Sequence, residues 1–241
     1  MRRVIAAAVA VTLVTAWAPP AMAAPSDERR VIATSVEGRP IVARHYGAPD
    51  APVQIVVIGQ MHGSEPGGRK VIEDLEAADI PDGVGMWLVT SMNPDGHRSG
   101  TRVNARGVDL NRNFPQDWKR SGRGGIFWSG GRAASEPETR GMARFLASVQ
   151  PDAVLSFHQA YDVVDISHPR GRPAGRQLAR WMGERAEVVG CSGPCHGTLT
   201  QWVDRVLGSV AITVEMDDRV SRAEARRAAE AVVRLGEWLG R

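Results

Sequence analysis

Residues 53–58, Val-Gln-Ile-Val-Val-Ile, form the apolar run on which the predicted fold depends. All but one of these side chains are β-branched and apolar, which is typical of a strand buried on both faces of a sheet. Similar runs occur at residues 86–90, 153–157 and 210–214. A strand covered on both faces needs helices above and below it, as in sheets whose strands run mostly parallel.

Helical segments are predicted between these runs. A helix is expected from about residue 68 to residue 77, and Ser135-Glu136-Pro137-Glu138 reads as a capping box that opens a second helix. An amphipathic helix is predicted over residues 222–239. The runs at 31–36 and 41–46 are predicted to pair as a hairpin. Together these patterns predict an α/β fold, a single-domain three-layer sandwich with a mixed, largely parallel central sheet.

The first 23 residues have the pattern of a secretory signal peptide. Arg2 and Arg3 precede an apolar segment at residues 4–17, and Ala21-Met22-Ala23 supplies the small residues that a signal peptidase reads. We therefore predict cleavage after Ala23, a secreted or extracytoplasmic protein, and one folded domain over residues 24–241. A membrane anchor is the alternative, but the apolar segment is short for a span of about 20 residues. No stable membrane association is expected after cleavage.

Composition is ordinary for one globular domain, with 43% hydrophobic residues in a chain of 241. The chain has 30 basic and 27 acidic residues, a formal charge of +3, which would fall to +1 on loss of Arg2 and Arg3. This near-balance gives no reason to expect nucleic acid or an anionic membrane as a partner.

The two cysteines lie close together in Cys191-Ser192-Gly193-Pro194-Cys195-His196. In an exported protein this spacing favours a disulfide that closes a tight loop. The alternative is a second metal site that uses both thiolates and His196, but no fourth ligand can be named for it.

A candidate metal site follows the first buried run, in Gly59-Gln60-Met61-His62-Gly63-Ser64-Glu65-Pro66. His62 and Glu65 offer the nitrogen and oxygen donors that zinc accepts. Catalytic zinc needs three protein ligands and an open position, so a third ligand should come from another strand end. His158, directly after the run at 153–157, fits that place. The remaining histidines, at positions 45, 97, 168 and 196, are interpreted as surface or loop residues.

The segment at residues 91–131 is dense in Gly, Asn, Asp and Arg, and so long a loop in a compact domain is usually functional or disordered. It contains Asn93-Pro94-Asp95-Gly96, which reads as a turn, and Gly107-Val108-Asp109-Leu110-Asn111-Arg112-Asn113-Phe114. Ile212-Thr213-Val214-Glu215 places an acid after the fourth buried run. In this order, with His-Gly-x-Glu-Pro and the strand-end His, the motifs resemble those of carboxypeptidase A-like zinc metallopeptidases, nearest the murein peptide amidase branch. The resemblance covers about residues 40–239.

The resemblance implies one zinc ion per chain, held by His62, Glu65 and His158. Glu215 would be the general base that takes a proton from water and delivers it to the leaving amine. It also implies that Arg102 holds the developing oxyanion, with Arg106 as the rival for that role.

Asn111 and Arg112 would bind the terminal carboxylate of the substrate. Asp109 and Asn113 are interpreted as residues that fix the loop. Two departures from the digestive enzymes stand out. The mobile Tyr of those enzymes has no counterpart in residues 191–198, and Gln159 replaces the Ser that commonly follows the third ligand. Thr200 falls where the resemblance places the base of the specificity pocket.

These motifs predict a zinc metallocarboxypeptidase that hydrolyses the C-terminal peptide or isopeptide bond of short peptides. The predicted partner is a peptide with a free C-terminal carboxylate, and cell-wall stem peptides are a plausible natural target. Two alternatives stay open. One is a zinc-dependent N-acyl amino acid deacylase of the aspartoacylase or succinylglutamate desuccinylase type. The other is an inactive module that binds cell-wall peptides.

Overall fold

The computed structural model describes residues 28–191, 193 and 195–241. The predicted signal peptide, residues 1–23, lies outside the described residues. Within the described ranges eight strands form one sheet: β1 (Arg29–Thr34), β2 (Pro40–Gly47), β3 (Val53–Ile58), β4 (Val84–Val89), β5 (Ala153–Gln159), β6 (Val163–Asp165), β7 (Arg185–Glu187) and β8 (Val210–Met216). The α-helices are α1 (Gly67–Glu76), α2 (Pro94–Ser99), α3 (Pro137–Val149), α4 (Arg172–Met182), α5 (Leu199–Trp202) and α6 (Arg222–Leu239), and there are also a 3-10 helix at Leu110–Arg112 and a π-helix at Val203–Leu207.

The strands follow the order β1-β2-β4-β3-β5-β8-β6-β7 across the sheet. The central strands β4, β3, β5 and β8 run parallel to one another. The hairpin of β1 and β2 joins β4 antiparallel, and β6 joins β8 antiparallel on the opposite side. The predicted sheet, mixed and largely parallel, is therefore confirmed.

Both faces of the sheet are covered, which completes the predicted three-layer sandwich. On one face α1, α4 and α6 pack their apolar side chains, such as Leu75, Leu178 and Val232, against β3, β5 and β8. On the other face α3 packs together with the loop side chains Leu110 and Phe114 and with α5. The buried runs seen in the sequence are strands because each of their faces meets one of these layers.

The predicted elements differ from the structure mainly at their ends. Strand β3 and helix α6 have the predicted bounds, and Ser221 and Glu224 form a capping box at the start of α6. The capping box predicted at Ser135 is wrong. Helix α3 begins at Pro137 with Glu136 as its N-cap and without a side-chain cap bond. The Ser135 hydroxyl instead donates to Glu136 Oε1 at 2.6 Å, because the loop before the helix offers it a charged acceptor.

Elements β6, β7, α4 and α5 were not predicted. Two of them have three residues and one has four, too few to show a hydrophobic period. Asn93-Pro94-Asp95-Gly96 opens the short helix α2 instead of forming a simple turn, with Asn93 Oδ1 accepting from Gly96 N at 2.9 Å. No helix of the described part of the chain is long and apolar enough to cross a lipid bilayer.

Candidate active site

The candidate ligands and base lie at the carboxyl ends of three neighbouring strands. His62 and Glu65 lie in the loop after β3, His158 is near the end of β5, and Glu215 is near the end of β8. His158 and Glu215 are direct partners in the β5–β8 register. In open α/β sheets this edge is where ligands bind, because loops diverge there and leave a crevice.

Close backbone contacts fold the loop that carries His62 and Glu65. A Cβ atom added to Gly63 would lie 1.9 Å from the Gly96 backbone, so only glycine permits helix α2 to pack there. A Cβ on Gly68 would lie 2.3 Å from the carbonyl oxygen of Gly59. The Asn93 side chain completes the packing by donating to Arg102 O at 3.3 Å. The Asn-Pro-Asp-Gly motif thus positions the loop without entering the chemistry.

Three donor atoms converge in this loop and on β5. His62 Nδ1 lies 2.8 Å from Glu65 Oε2, and His158 Nδ1 lies 3.1 Å from both of those atoms. All three residues are buried. Within the described residues they form the group that could hold a metal ion. Two histidines and one carboxylate are among the donor sets of catalytic zinc.

Hydrogen bonds at the Nε2 atoms leave the Nδ1 atoms of His62 and His158 available to a metal. Asp109 Oδ1 lies 3.1 Å from His62 Nε2, and Ser156 Oγ lies 3.0 Å from His158 Nε2. A ring that donates from Nε2 to an oxygen keeps its lone pair on Nδ1. The residues present therefore fit a zinc ion. Asp109 also accepts from Asn111 N at 2.9 Å, so it fixes the loop as predicted and orients a ligand as well.

The basic side chains of this cluster lower the pKa values of its two buried carboxyl groups. Burial by itself would raise the pKa of Glu65, but His62 and His158 outweigh it and hold that pKa well below its usual range. Burial would likewise raise the pKa of Asp109, and contacts with His62 and Arg102 depress it. Both carboxylates are therefore ionised at neutral pH. A site with buried anionic oxygens and imidazole nitrogens suits a divalent cation.

Arg102 lies at the cluster, and Arg106 does not. The Arg102 guanidinium donates to Glu65 Oε1 at 3.0 Å and to Asp109 Oδ2 at 3.1 Å. It also lines the central cavity. The Arg106 side chain is 55% exposed and lies 3.5 Å from Glu136 Oε2, outside the cavity. The geometry thus favours Arg102 over its rival.

Asn111 and Arg112 line the same cavity. Asn111 Oδ1 accepts from Leu199 N at 3.0 Å, which orients the amide and leaves its NH2 group to donate. Arg112 is 3% exposed, its NH1 atom donates to Asn111 O at 2.8 Å, and its buried Nε has no partner among the described residues. Burial lowers the pKa of Arg112 and Asp109 opposes that shift. A buried cation with an unused donor is suited to an anionic ligand.

Glu215 faces the cavity beside the metal cluster. Its Oε2 is buried and has no hydrogen-bond partner among the described residues. Burial raises the pKa of Glu215, with Glu65 adding to the shift and His158 opposing it. A carboxylate that is desolvated and unpartnered is a better proton acceptor than one in water.

Phe127 is a site residue that the motifs did not reveal. Its ring lies 5.1 Å from the guanidinium carbon of Arg102 and 5.6 Å from that of Arg112. A Cβ on Gly193, in the loop closed by the Cys191–Cys195 disulfide, would lie 3.2 Å from the same ring. Phe127 therefore packs against both arginines from the long loop at residues 91–131. The Tyr of the digestive enzymes would instead fall in residues 191–198. The only sequence signal of Phe127 was its position in the long loop.

The structure agrees with some of the remaining interpretations of the sequence and contradicts one of them. The predicted disulfide between Cys191 and Cys195 is confirmed, and Thr200 lines the cavity as the resemblance implied. His45 was interpreted as a surface or loop residue, which is wrong. It is 3% exposed in β2, and its ring centroid lies 4.9 Å from that of Trp87. Gln159 Oε1 accepts from Gly67 N at 2.7 Å and so ties β5 to the start of α1, directly after the loop that carries His62 and Glu65.

The fold and this site define a class of protein. The chain belongs to the zinc carboxypeptidase family, peptidase family M14, whose profile matches residues 24–170. This is the family that the sequence motifs resemble.

The chain is similar in sequence or in structure to several known proteins. A stretch of 113 residues is 33% identical to murein peptide amidase A of Escherichia coli (strain K12) and covers 42% of this chain but only 44% of that relative. The solved structure of murein-tripeptide amidase MpaA from Escherichia coli O157 matches with a TM-score of 0.70 and 25% identity, over 92% of this chain and 96% of that one. Carboxypeptidase A from Helicoverpa armigera has the same fold, with a TM-score of 0.69 and 17% identity over 88% of this chain and 67% of that one.

Proposed function

We propose that this protein is a zinc-dependent carboxypeptidase that hydrolyses the C-terminal peptide or isopeptide bond of short peptides. The observation that carries the proposal is one shared cavity. It is lined both by the metal cluster of His62, Glu65 and His158 and by the buried cation of Arg112. A hydrolytic centre next to a carboxylate-binding group selects the end of a chain.

His62, Glu65 and His158 would hold the metal through two Nδ1 atoms and one carboxylate oxygen. Zinc, when bound, supplies Lewis-acid chemistry that makes water nucleophilic at neutral pH. Asp109 and Ser156 keep the two imidazole rings oriented through their Nε2 atoms.

Glu215 is the proton carrier of the proposed reaction. Its unpartnered Oε2 would accept the proton of the attacking water and then deliver that proton to the nitrogen of the leaving amine. The Arg102 guanidinium lies beside the cluster and would donate to the oxygen on which negative charge develops.

Asn111 and Arg112 would determine which bond of the substrate lies at the metal cluster. A terminal carboxylate would accept from the free NH2 group of Asn111 and from the Arg112 guanidinium, the donor set that matches a carboxylate best. Only the last peptide or isopeptide bond could then reach the metal cluster.

Murein stem peptides are the natural substrate class that we propose. Two relatives with sequence similarity are named as amidases of murein peptides or murein tripeptides. An N-acyl amino acid deacylase would use the same cluster on a smaller substrate. Parallel assays of stem peptides, dipeptides and acyl amino acids separate these activities, and turnover of acyl amino acids alone would favour the deacylase.

The proposed site for the substrate carboxylate is tested by one substitution in the protein and one change in the substrate, made separately and together. Losing one partner of a buried, hydrogen-bonded charge pair costs about 2–5 kcal/mol, or roughly 30- to several-thousand-fold in kcat/KM. Arg112→Ala and amidation of the substrate should each cause a loss of that size. Together they should cost little more than either alone, because both delete one interaction.

Arg106→Ala is the matched control for this cycle, because Arg106 is exposed and lies outside the cavity. It should keep the preference for free-acid peptides. Equal cleavage of free-acid and amidated peptides by the unaltered protein would exclude the exopeptidase proposal, whatever the variants do.

Export is a further part of the proposal. The pattern of residues 1–23 supports cleavage after Ala23, and the disulfide suits an oxidising compartment. The exported protein should begin at Ala24 by N-terminal sequencing. Recovery of the uncleaved chain from the cytoplasm alone would contradict export.

A further inference from the structure

The disulfide loop, residues 191–195, is closed by the bond between Cys191 and Cys195. Both cysteines line the cavity together with Arg112 and Phe127, and both are also exposed to solvent. The disulfide therefore lies at the edge of the active site rather than in the core. None of the steps of the proposed reaction uses it.

Hydrogen bonds anchor the main chain on either side of the disulfide loop. Val189 N donates to Asp165 Oδ1 at 3.1 Å, and Phe114 N donates to Gly197 O at 2.9 Å. Between these anchors, no hydrogen bond between main-chain groups joins the described residues to the rest of the domain. The shape of the loop is therefore not fixed by secondary structure.

The disulfide itself fixes that shape. It links two residues four positions apart, and such a cross-link removes most of the conformations that an open loop could adopt. Cys191 N donates to Cys195 Sγ at 3.2 Å, and Gln201 Nε2 donates to Cys195 O, also at 3.2 Å. Opening the disulfide would leave the described part of the loop with the Gln201 side chain as its hydrogen-bond partner in the domain.

Gly193, in the middle of the disulfide loop, lies against the Phe127 ring. A Cβ atom added to Gly193 would lie 3.2 Å from the Cγ and Cδ2 atoms of that ring, so the loop backbone packs directly on it. The same ring lies 5.1 Å from the guanidinium carbon of Arg102 and 5.6 Å from that of Arg112. The loop, the ring and the two guanidinium groups are thus in consecutive contact.

The two arginines depend on the ring to different degrees. Arg102 is also held by Glu65 and Asp109, each through a charged hydrogen bond. Among the described residues the Arg112 guanidinium makes one hydrogen bond, to Asn111 O, and its Nε has no partner. A loss of support from the ring should therefore displace Arg112 more than Arg102.

We propose that the Cys191–Cys195 disulfide positions Arg112 for the terminal carboxylate of the substrate, by holding the Phe127 ring in place. Opening the disulfide would release the ring and weaken binding of that carboxylate without removing the metal or the base. This inference rests on the proposed function, because it assigns the carboxylate to Arg112. It makes the disulfide a positioning element of the site and makes the affinity for the carboxylate sensitive to reductants.

The double variant Cys191→Ser/Cys195→Ser opens the loop at two exposed positions, where serine is tolerated. For a free-acid peptide kcat/KM should fall by about 3- to 30-fold, the range expected for the cation–π contacts of the ring, and the change should lie mainly in KM. For the C-terminally amidated peptide, which has no carboxylate for Arg112, kcat/KM should change little. Val188→Ala is the matched control, since Val188 is 66% exposed next to the loop and does not line the cavity. It should leave both rates unchanged.

Adding Phe127→Ala tests whether the disulfide acts through the ring. In the Phe127→Ala background, opening the disulfide should cost little more on the free-acid peptide, because changes that delete one shared interaction are not additive. A further loss as large as the one in the otherwise unaltered protein would show that the disulfide does not act through Phe127, and would overturn the inference.

Reduction opens the disulfide without a substitution. A trialkylphosphine gives two electrons to the disulfide and becomes a phosphine oxide with oxygen from water, and each sulfur takes up one proton to form a thiol. With both thiols titrated and the metal content unchanged, the reduced protein should show the same loss on the free-acid peptide as the double variant. The phosphine should have no effect on the double variant.

Full cleavage of the free-acid peptide by protein with an open disulfide would overturn the inference. An equal loss on free-acid and amidated peptides would also overturn it, because general loosening of the site affects both. In either case, a preference of the unaltered protein for free-acid peptides leaves the proposed function standing. Absence of that preference would refute the proposed function itself, and the inference with it.

Discussion

Among single residues, Glu215 has the environment most clearly suited to proton transfer. Its Oε2 is buried without a described partner, and burial raises its pKa. Glu215→Gln keeps the shape of the side chain but cannot accept the proton. We expect hydrolysis to fall by about 10² to 10⁴-fold, the usual contribution of a general base. Metal content and thermal midpoint should stay unchanged. Near-normal turnover in this variant would place the base elsewhere.

Phe127 allows a second prediction at this scale. Its ring lies against the guanidinium groups of Arg102 and Arg112, and cation–π contacts contribute about 0.5–2 kcal/mol. Phe127→Ala should therefore lower kcat/KM by about 3- to 30-fold. Ile126→Ala is the control, because Ile126 is 58% exposed in the same loop. Equal effects of the two changes would show that general loop packing, and not the ring, supports the arginines.

Between elements, the long loop is tied to the helix that follows it by buried polar contacts. Asn104 donates to Glu136 Oε2 at 2.9 Å and to Glu138 Oε2 at 3.2 Å. Asn113 accepts from Glu136 N at 3.1 Å and donates to Ser129 O at 2.8 Å. The loop that carries Arg102 and Arg112 is thus held by the start of α3, which confirms the predicted loop-fixing task of Asn113.

The junction of α4, β7 and α6 contains a carboxyl group whose environment predicts a pH effect. Burial raises the pKa of Glu184 from 4.5 to about 7, with Asp162 and Glu224 adding to the rise and Arg227 opposing it. Because the folded-state pKa is above the unfolded value, folding takes up a proton between these pH values. The stability contributed by Glu184 is complete below about pH 4.5 and is lost as the pH rises through 7.

Glu184→Gln removes the ionisable carboxyl group and with it the loss of stability at higher pH. Relative to the unaltered protein, the variant should gain about 1–2 kcal/mol in free energy of unfolding between pH 5 and pH 8, after allowance for partial solvent exposure. Urea denaturation at the two pH values measures the gain. Glu237→Gln, an exposed change on α6, is the control and should show no such gain. A gain that is equal at both pH values would contradict the pKa argument.

For the whole molecule, metal binding should couple to stability. The ligands come from the loop after β3 and from β5, so a bound ion ties two parts of the sheet edge together. A ligand present at 100 times its dissociation constant stabilises the folded state by about 2.7 kcal/mol, which raises the midpoint by roughly 5–10 °C in a domain of this size.

Chelation should lower the midpoint by that amount and zinc should restore it, with one zinc per chain by elemental analysis. His62→Ala and His158→Ala should abolish both the metal content and the response to chelator. His97→Ala, on the neighbouring helix α2, should keep both. Full activity of metal-free protein would end the metallopeptidase proposal.

Sequence alone determined the central strands, the outer helices α1, α3 and α6, and the identity of the candidate ligands. Buried parallel strands and amphipathic helices are written as local patterns of apolar residues, and His62, Glu65, His158 and Glu215 lie at fixed places relative to those patterns. Each of these features depends on a few consecutive residues, so it can be predicted without knowing the packing.

Tertiary structure decided what depends on residues far apart in the chain. The pairing of Asp109 with His62, the place of Phe127 against two arginines and the exposure of Asp165 to the cavity arise from contacts between separate elements. Strands as short as β6 and β7 form because β8 pairs with β6 and β6 in turn pairs with β7, not because three residues prefer to be extended. Local patterns do not encode such contacts, since each one is settled by whichever distant partner the fold brings into reach.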